Sequence, residues 1–151
     1  MGLFGPKPKE KGVKAALGAE SEAIIATELL RAGFPVWVPS GNIHRYDLVI
    51  EDANEEFWKV QCKTAWIEKR SGTLMFSTSS NHYNYRQGNY NYRRRVYSGQ
   101  IDYFAVYSPD LNKVYLIPAA HVATGTSMSL RFTETRNNQK KGIKYATDYE
   151  L

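Results

Sequence analysis

Residues 16–32, ALGAESEAIIATELLRA, place apolar side chains at the three- and four-residue spacing of an amphipathic helix, and Gly33 follows in the position of a C-cap. At about 100° per residue, Ala19, Ile25, Ala26, Leu29 and Leu30 all fall within about 80° of Glu22. The pattern therefore sets the Glu22 carboxylate on the apolar stripe, with Glu20 and Glu28 on the opposite, solvent side. An acid so placed needs a cation, a wet cleft or an arginine to offset its desolvation. A Glu at the edge of the stripe that reaches solvent fits the same pattern. Beyond Gly33 the period shortens to two. Runs of β-branched and aromatic residues at 35–39, 45–51, 57–66, 73–79, 101–107, 113–117 and 129–133 predict strands. One helix followed by a mostly antiparallel sheet predicts an α+β or mixed α/β sandwich.

Asp52-Ala-Asn-Glu-Glu56 reads as a hairpin connection. A hairpin centred near Asn54 sets Gln61 opposite Asp47. Strand alternation then puts Gln61 and Lys63 on one face, and Val60, Cys62 and Thr64 on the other. Asp47, Gln61 and Lys63 are thus expected as neighbours.

Composition narrows the class. The chain has 151 residues, 42% apolar and 23% charged, the make-up of one ordinary globular domain. We divide it into a flexible basic arm, 1–15, and a folded domain, 16–151. No run of 18 apolar residues occurs, so no membrane span is expected. Cys62 stands alone and His44, His82 and His121 are scattered, which excludes an internal disulfide and the spacings of structural zinc. The opening Met-Gly-Leu-Phe-Gly-Pro-Lys has no apolar stretch of signal-peptide length, and Pro6 stands where a myristoylation signal needs Ser or Thr. A cytoplasmic protein, held at the nucleoid by DNA, is the expectation.

The formal charge of +5 is unevenly spread. From Lys63 to Arg95 the basic residues are Lys63, Lys69, Arg70, Arg86, Arg93, Arg94 and Arg95, against the single acid Glu68, and the rest of the chain is slightly acidic. Between residues 81 and 97 the arginines alternate with Tyr83, Tyr85, Tyr90, Tyr92 and Tyr97 and with Asn81, Asn84, Asn89 and Asn91. Guanidinium groups suit phosphate, while Tyr and Asn stack on bases or hydrogen-bond to their edges. Arg86, Arg93, Arg94, Arg95, Tyr83, Tyr85, Asn84 and Lys69 are accordingly the candidate contacts to double-stranded DNA. A solvated basic loop is the plainer alternative.

An Asp, an amide and a Lys on one sheet face, approached by a Glu from a helix, suit metal-assisted phosphodiester hydrolysis. Mg²⁺ takes oxygen ligands from one or two carboxylates and fills its shell with water and phosphate. In this reading Asp47, Gln61, the Cys62 backbone carbonyl and Glu22 hold Mg²⁺, for which Mn²⁺ substitutes. Lys63 holds or helps deprotonate the attacking water and offsets charge on the phosphate. The spacing D-x13-Q-x-K is equally that of a surface ion pair between adjacent strands.

The order of helix Glu, then Tyr46-Asp47-Leu48-Val49-Ile50, then Lys59-Val60-Gln61-Cys62-Lys63-Thr64 resembles the PD-(D/E)XK nuclease superfamily. More narrowly, it is similar to the small endonucleases that include group I intron-encoded homing enzymes. The likeness runs from about Gly18 to Leu151 through GAESEA, RYDLVIE, KVQCKTAW, YSGQIDYFAVYSPDLNKVYLIP and NNQKKGI. It implies a restriction-endonuclease-like core, a mixed sheet flanked by helices, and cleavage that leaves a 5′-phosphate. By position it puts the helix acid on Glu22, the metal-binding Asp on Asp47, the (D/E)XK acid on Gln61 and the lysine on Lys63. Tyr46 replaces the motif's Pro. Gln61 replaces an acid, which removes a negative charge from the metal site.

Two other readings share these residues: a structure-selective nuclease such as a Holliday junction resolvase, and a non-cleaving DNA-binding module whose site has decayed at Gln61. The Tyr/Arg/Asn segment favours a sequence reader over the first. Asn81-His82-Tyr83-Asn84 has the look of an HNH motif but lacks a second metal-ligating His nearby, so His82 is expected in a loop. His44 is expected in a surface loop with phosphate in reach, Asp102 facing either site or solvent, and Trp37, Trp58 and Trp66 in packing roles. Cutting both strands takes two sites, so a homodimer or homotetramer is expected, with the apolar surface of 101–117 as its interface.

Overall fold

The computed structural model describes residues 13–86, 89–135 and 139–151, the side chains of Val13 and of residues 83–86 and 89–91 excepted. Its helix α1 (Val13–Arg31) begins three residues ahead of the expected start, so part of the arm is helical; residues 1–12 lie outside the described residues. The predicted stop holds. Gly33, at φ +93°, follows a pair of closing bonds, from its own N–H to the Leu30 carbonyl and from the Phe34 N–H to the Leu29 carbonyl. That is the Schellman arrangement, and it needs the left-handed backbone that glycine adopts without strain.

The strands are β1 (Val36–Trp37), β2 (Leu48–Glu51), β3 (Phe57–Thr64), β4 (Trp66–Glu68), β5 (Thr73–Ser77), β6 (Ser79–Arg86), β7 (Asn89–Val96), β8 (Tyr103–Ser108), β9 (Lys113–Pro118) and β10 (Ser127–Leu130). Five form a mixed sheet in the order β1-β2-β3-β8-β9, in which only β3 and β8 run parallel. Three more, in the order β10-β5-β4, form a second sheet, and β6 and β7 pair as a separate two-stranded ribbon.

Strand alternation sorts the core into two layers. Val60, Cys62 and Ala105 face α1 and pack with Ile25, Leu29, Leu48 and Ile50. Phe104, Val106, Tyr115 and Ile117 face the other way and pack with Leu74, Phe76, Met128 and Leu130 of the second sheet. The expected mixed sheet and α+β class are observed. Helix covers one face, and among the described residues the other is covered by strands.

The apolar stripe of α1 is centred on Ser21, Ile25 and Leu29, all buried. Leu30 is 58% exposed and Ala19 is exposed, so the stripe lies to one side of Glu22, which sits at its edge. Ser21 is accommodated because its hydroxyl bonds both the Leu17 carbonyl and Thr64 Oγ1.

The β2–β3 register is the expected one, with Leu48 opposite Val60 and Ile50 opposite Trp58. Asp52 sets it: its carboxylate accepts from the Asn54 and Glu56 N–H groups and from Trp58 Nε1. These bonds, that from Trp58 foremost, hold the Asp52 carboxyl below its ordinary pKa.

Two expectations fail here. His82 is not in a loop but in β6, opposite Arg93. Asp102 does not line the cleft and is half-buried: its carboxylate accepts the Lys59 N–H at 2.7 Å while its own N–H donates to the Lys59 carbonyl, tying β8 to β3. Most apolar residues of 101–117 are buried within the protomer, since β8 is interior and β9 is covered along its edge by Tyr149 to Leu151; Leu111 is exposed.

Candidate active site

The pairing of β2 with β3 ends at Leu48, while β3 runs on for four residues against β8. The two chains splay apart there, and Asp47 and Gln61 stand at the fork. Around them lies a cleft of about 280 Å³ lined by Glu22, Val38, Pro39, Gly41, Asn42, His44, Arg45, Tyr46, Asp47, Gln61 and Tyr97. Glu22 thus comes from the helix, Asp47 from the end of β2 and Gln61 from β3.

The contacts within this group are short. Asp47 Oδ2 accepts from the Cys62 N–H at 2.8 Å and from Gln61 Nε2 at 2.5 Å. The same amide nitrogen lies 3.3 Å from the Cys62 carbonyl oxygen. Gln61 is only 8% exposed, so its amide has no solvent to fall back on. Lys63 does not itself line the cleft but is bonded at its margin: its Nζ donates to the hydroxyl of the cleft-lining Tyr97 at 3.0 Å and to the Ser79 carbonyl at 3.3 Å. Its charge still bears on Asp47. The structure therefore brings Glu22, Asp47, Gln61 and Cys62 together as expected, with Lys63 beside them on the same β3 face as Gln61.

Burial pushes the Asp47 carboxyl above its ordinary pKa, and the Cys62 N–H, the Lys63 ammonium and the Gln61 amide offset only part of that rise. Glu22 is raised by burial and, secondly, by the charge of Asp47. Both acids hold a proton more tightly folded than unfolded. Their ionisation therefore opposes folding as pH rises through the folded-state values. Asp47→Asn keeps an acceptor oxygen for Cys62 and removes that cost, so in EDTA it is expected to raise the melting temperature at neutral pH. The gain should vanish below about pH 4, where the unfolded carboxyl is itself protonated; melts across this range check it.

Among the described residues no group of three or more His, Cys, Asp and Glu side chains is placed to hold a metal. The cleft lining offers the carboxylates of Glu22 and Asp47, the amides of Gln61 and Asn42 and the His44 ring, with the Cys62 carbonyl beside the Gln61 amide.

The basic segment proves to be a ribbon. Ser80 pairs with Arg95, Asn81 with Arg94 and His82 with Arg93, which puts Arg93 and Arg95 on one face and Tyr92 and Arg94 on the other. Arg94 is engaged there by the Tyr92 hydroxyl and Thr126 Oγ1. The side chains of Tyr83, Asn84, Tyr85 and Arg86 lie outside the described residues. Lys69 is exposed in the turn between β4 and β5, in another sheet. Tyr97, grouped with the base-contacting tyrosines by its place in the run, is instead 6% exposed and packs edge-on against Phe104.

Arg45 is not among the site residues expected from the sequence. It bonds Gln100 Oε1, Ser80 Oγ and the carbonyls of Arg95 and Val96, fastening the base of the ribbon two residues ahead of Asp47. Strand alternation from Asp47 would have placed it on the same face. His44 lines the cleft and stacks on Tyr46 at 5.0 Å.

The sequence profile of the PD-(D/E)XK endonuclease family matches residues 14–151. No curated protein matches. Among solved structures the chain is similar to the bacterial homing endonuclease I-Ssp6803I, at 24% identity and a TM-score of 0.71, over 92% of this chain and 89% of that one. The likeness in structure is one of fold. With the family profile spanning the helix acid, the Asp47 fork and the lysine strand alike, the chain belongs to the PD-(D/E)XK endonuclease family.

Proposed function

We propose that this nuclease is a Mg²⁺-dependent, sequence-specific endonuclease of double-stranded DNA, homing-endonuclease-like, with its site at Glu22, Asp47, Gln61, Cys62 and Lys63. The observation that carries the reading is the meeting of Glu22, Asp47 and Gln61 in one cleft, where two chain segments part.

The donor set fits a hard divalent cation: the carboxylates of Glu22 and Asp47, the Cys62 carbonyl and, once its amide turns about its terminal bond, the oxygen of Gln61. Like charge between Glu22 and Asp47 is the feature that such a cation would relieve. When bound, Mg²⁺ supplies Lewis acidity toward the phosphate and toward a water. Asp47 acts as the fixed anion of the site, held by the Cys62 N–H. Lys63 brings a positive charge against the phosphate as its negative charge grows during attack by water. The exposed Arg93 and Arg95 hold the DNA backbone across the ribbon, an element of the size that a major groove admits. Cleavage of both strands takes a second copy of the chain, in a dimer or tetramer. Among the described residues no helix is long and apolar enough to cross a membrane; a cytoplasmic, nucleoid-bound protein is part of the proposal.

The test is nicking of supercoiled plasmid and of mixed genomic DNA, in Mg²⁺, Mn²⁺ or EDTA, by the wild type and by Asp47→Ala. Cutting that needs metal and Asp47 supports the reading. Salt-sensitive DNA binding with no cutting under any of these conditions would leave a non-cleaving module.

Gln61→Glu tests the metal assignment without DNA. A third carboxylate would stand against Asp47, so in EDTA the variant should melt about 3–6 °C below the wild type. Saturating Mg²⁺ or Mn²⁺ should close this gap, since a ligand that binds only the folded state stabilises it. Loss of stability that metal does not repair would mean that Gln61 is a packing residue.

A further inference from the structure

Lys63 is a four-carbon side chain with a mobile stem, yet it stands in one place. Its Nζ donates to the Tyr97 hydroxyl at 3.0 Å and to the Ser79 carbonyl at 3.3 Å, and lies 4.8 Å from the centre of the Tyr97 ring. An ammonium has three donors, so these two bonds leave one for a ligand. The negative face of an aromatic ring favours a cation that has lost part of its water.

Tyr97 is itself closely packed. It is 6% exposed, packs edge-on against the buried Phe104 at 5.7 Å, and carries the Arg45 guanidinium 4.2 Å from its ring centre. It is also the residue that follows β7, while Ser79 opens β6, so both ends of the ribbon meet at Lys63. Arg45 fixes the same base by its bonds to Ser80, Arg95 and Val96. A tyrosine devoted to base stacking would be open to solvent; this one is folded inward, and it also lines the cleft.

We propose that Tyr97 is the positioning residue for Lys63, its hydroxyl and ring holding the ammonium at the cleft margin and registering it on the base of the DNA-binding ribbon. The assignment rests on the nuclease reading for its purpose. The contact itself does not, and it is tested separately.

The experiment uses the full chain with Tyr97→Phe, which keeps the ring and loses the hydroxyl, and Tyr97→Leu, which loses both. Proteins with isotope-labelled lysine report the Lys63 ε-methylene protons by NMR, assigned through Lys63→Arg. Ring current from Tyr97 should move these protons off the free-lysine position in the wild type and in Tyr97→Phe, and Tyr97→Leu should return them to it. Lys63 protons already at that position in the wild type would overturn the contact. Nicking of plasmid and genomic DNA in Mn²⁺ should fall about tenfold in Tyr97→Phe, with affinity for a random duplex and its salt dependence unchanged. Wild-type cutting by Tyr97→Phe, or affinity falling in step with rate, would overturn the positioning role. A wild type that binds DNA and never cuts defeats the nuclease reading instead, and the NMR shifts then decide the Tyr97–Lys63 contact alone.

Discussion

Asp47→Ala is expected to lower metal-dependent nicking by about 10³-fold while leaving affinity for DNA within about twofold, when rates and binding are measured on the same plasmid and duplex. The argument rests on position. Asp47 sits at the floor of the cleft with one oxygen fixed by the Cys62 N–H and the Gln61 amide. Removing it takes away the anion around which the other donors are gathered, and it leaves the ribbon's arginines untouched. Cleavage at the wild-type rate would mean that the chemistry lies elsewhere. The raised pKa of Asp47, caused chiefly by burial, adds a pH dependence. Only the ionised carboxylate serves a cation, so at metal concentrations well below saturation the acid limb of the rate profile should lie above the range of an ordinary Asp, and rising metal should move it down. In Asp47→Glu, with its longer arm, the limb should move and the rate should fall.

The second large effect belongs to the ribbon. Replacing Arg93 and Arg95 together by Ala should weaken DNA binding about 10²-fold and lower the slope of log affinity against log salt by about 2, because each phosphate contact releases close to one counterion. Strand alternation puts these two guanidiniums on one face, and both are exposed. Arg94 points to the other face, held by Tyr92 and Thr126, so Arg94→Ala should change the slope by much less. Fluorescence anisotropy on a labelled duplex at several salt concentrations separates the cases. Equal effects at all three positions would mean that the basic run acts as a diffuse cloud of charge and not as a two-faced ribbon.

Much of the site was legible because it depends on short-range rules. Asp47 and Gln61 face each other because hairpin register follows from the centre of a five-residue turn, and Asp52 supplies the bonds that fix that centre. Gln61 and Lys63 share a face, with Cys62 turned to the helix, because a strand alternates. The end of α1 was legible in Gly33 for the same kind of reason, since one backbone conformation closes the helix.

The misreadings have a common cause in contacts distant along the chain. The stripe of α1 was centred on Glu22 by counting apolar residues, but its true centre is the Ser21–Ile25–Leu29 line. A serine takes the buried place because Thr64, 43 positions away, meets its hydroxyl. Asp102 was expected at the site or in solvent, yet it is taken up by the Lys59 backbone, also 43 positions away. Tyr97 looked like its neighbours in a tyrosine-rich run until Phe104 and Arg45 closed over it. The strand character of 79–96 was hidden by polar residues at successive positions, which show no alternation of apolar and polar.

The sequence by itself determined the helix, the strand register and the acid-Asp-Gln-Lys order, since turn chemistry and periodicity act within a few residues of one another. Only the tertiary structure decided that Glu22 reaches the Asp47 cleft from the edge of its helix, that Lys63 is moored to Tyr97, and that the basic run is a ribbon fastened by Arg45. Those facts depend on how sheet, helix and ribbon pack against one another, and that packing is settled by the burial of residues far apart in the chain.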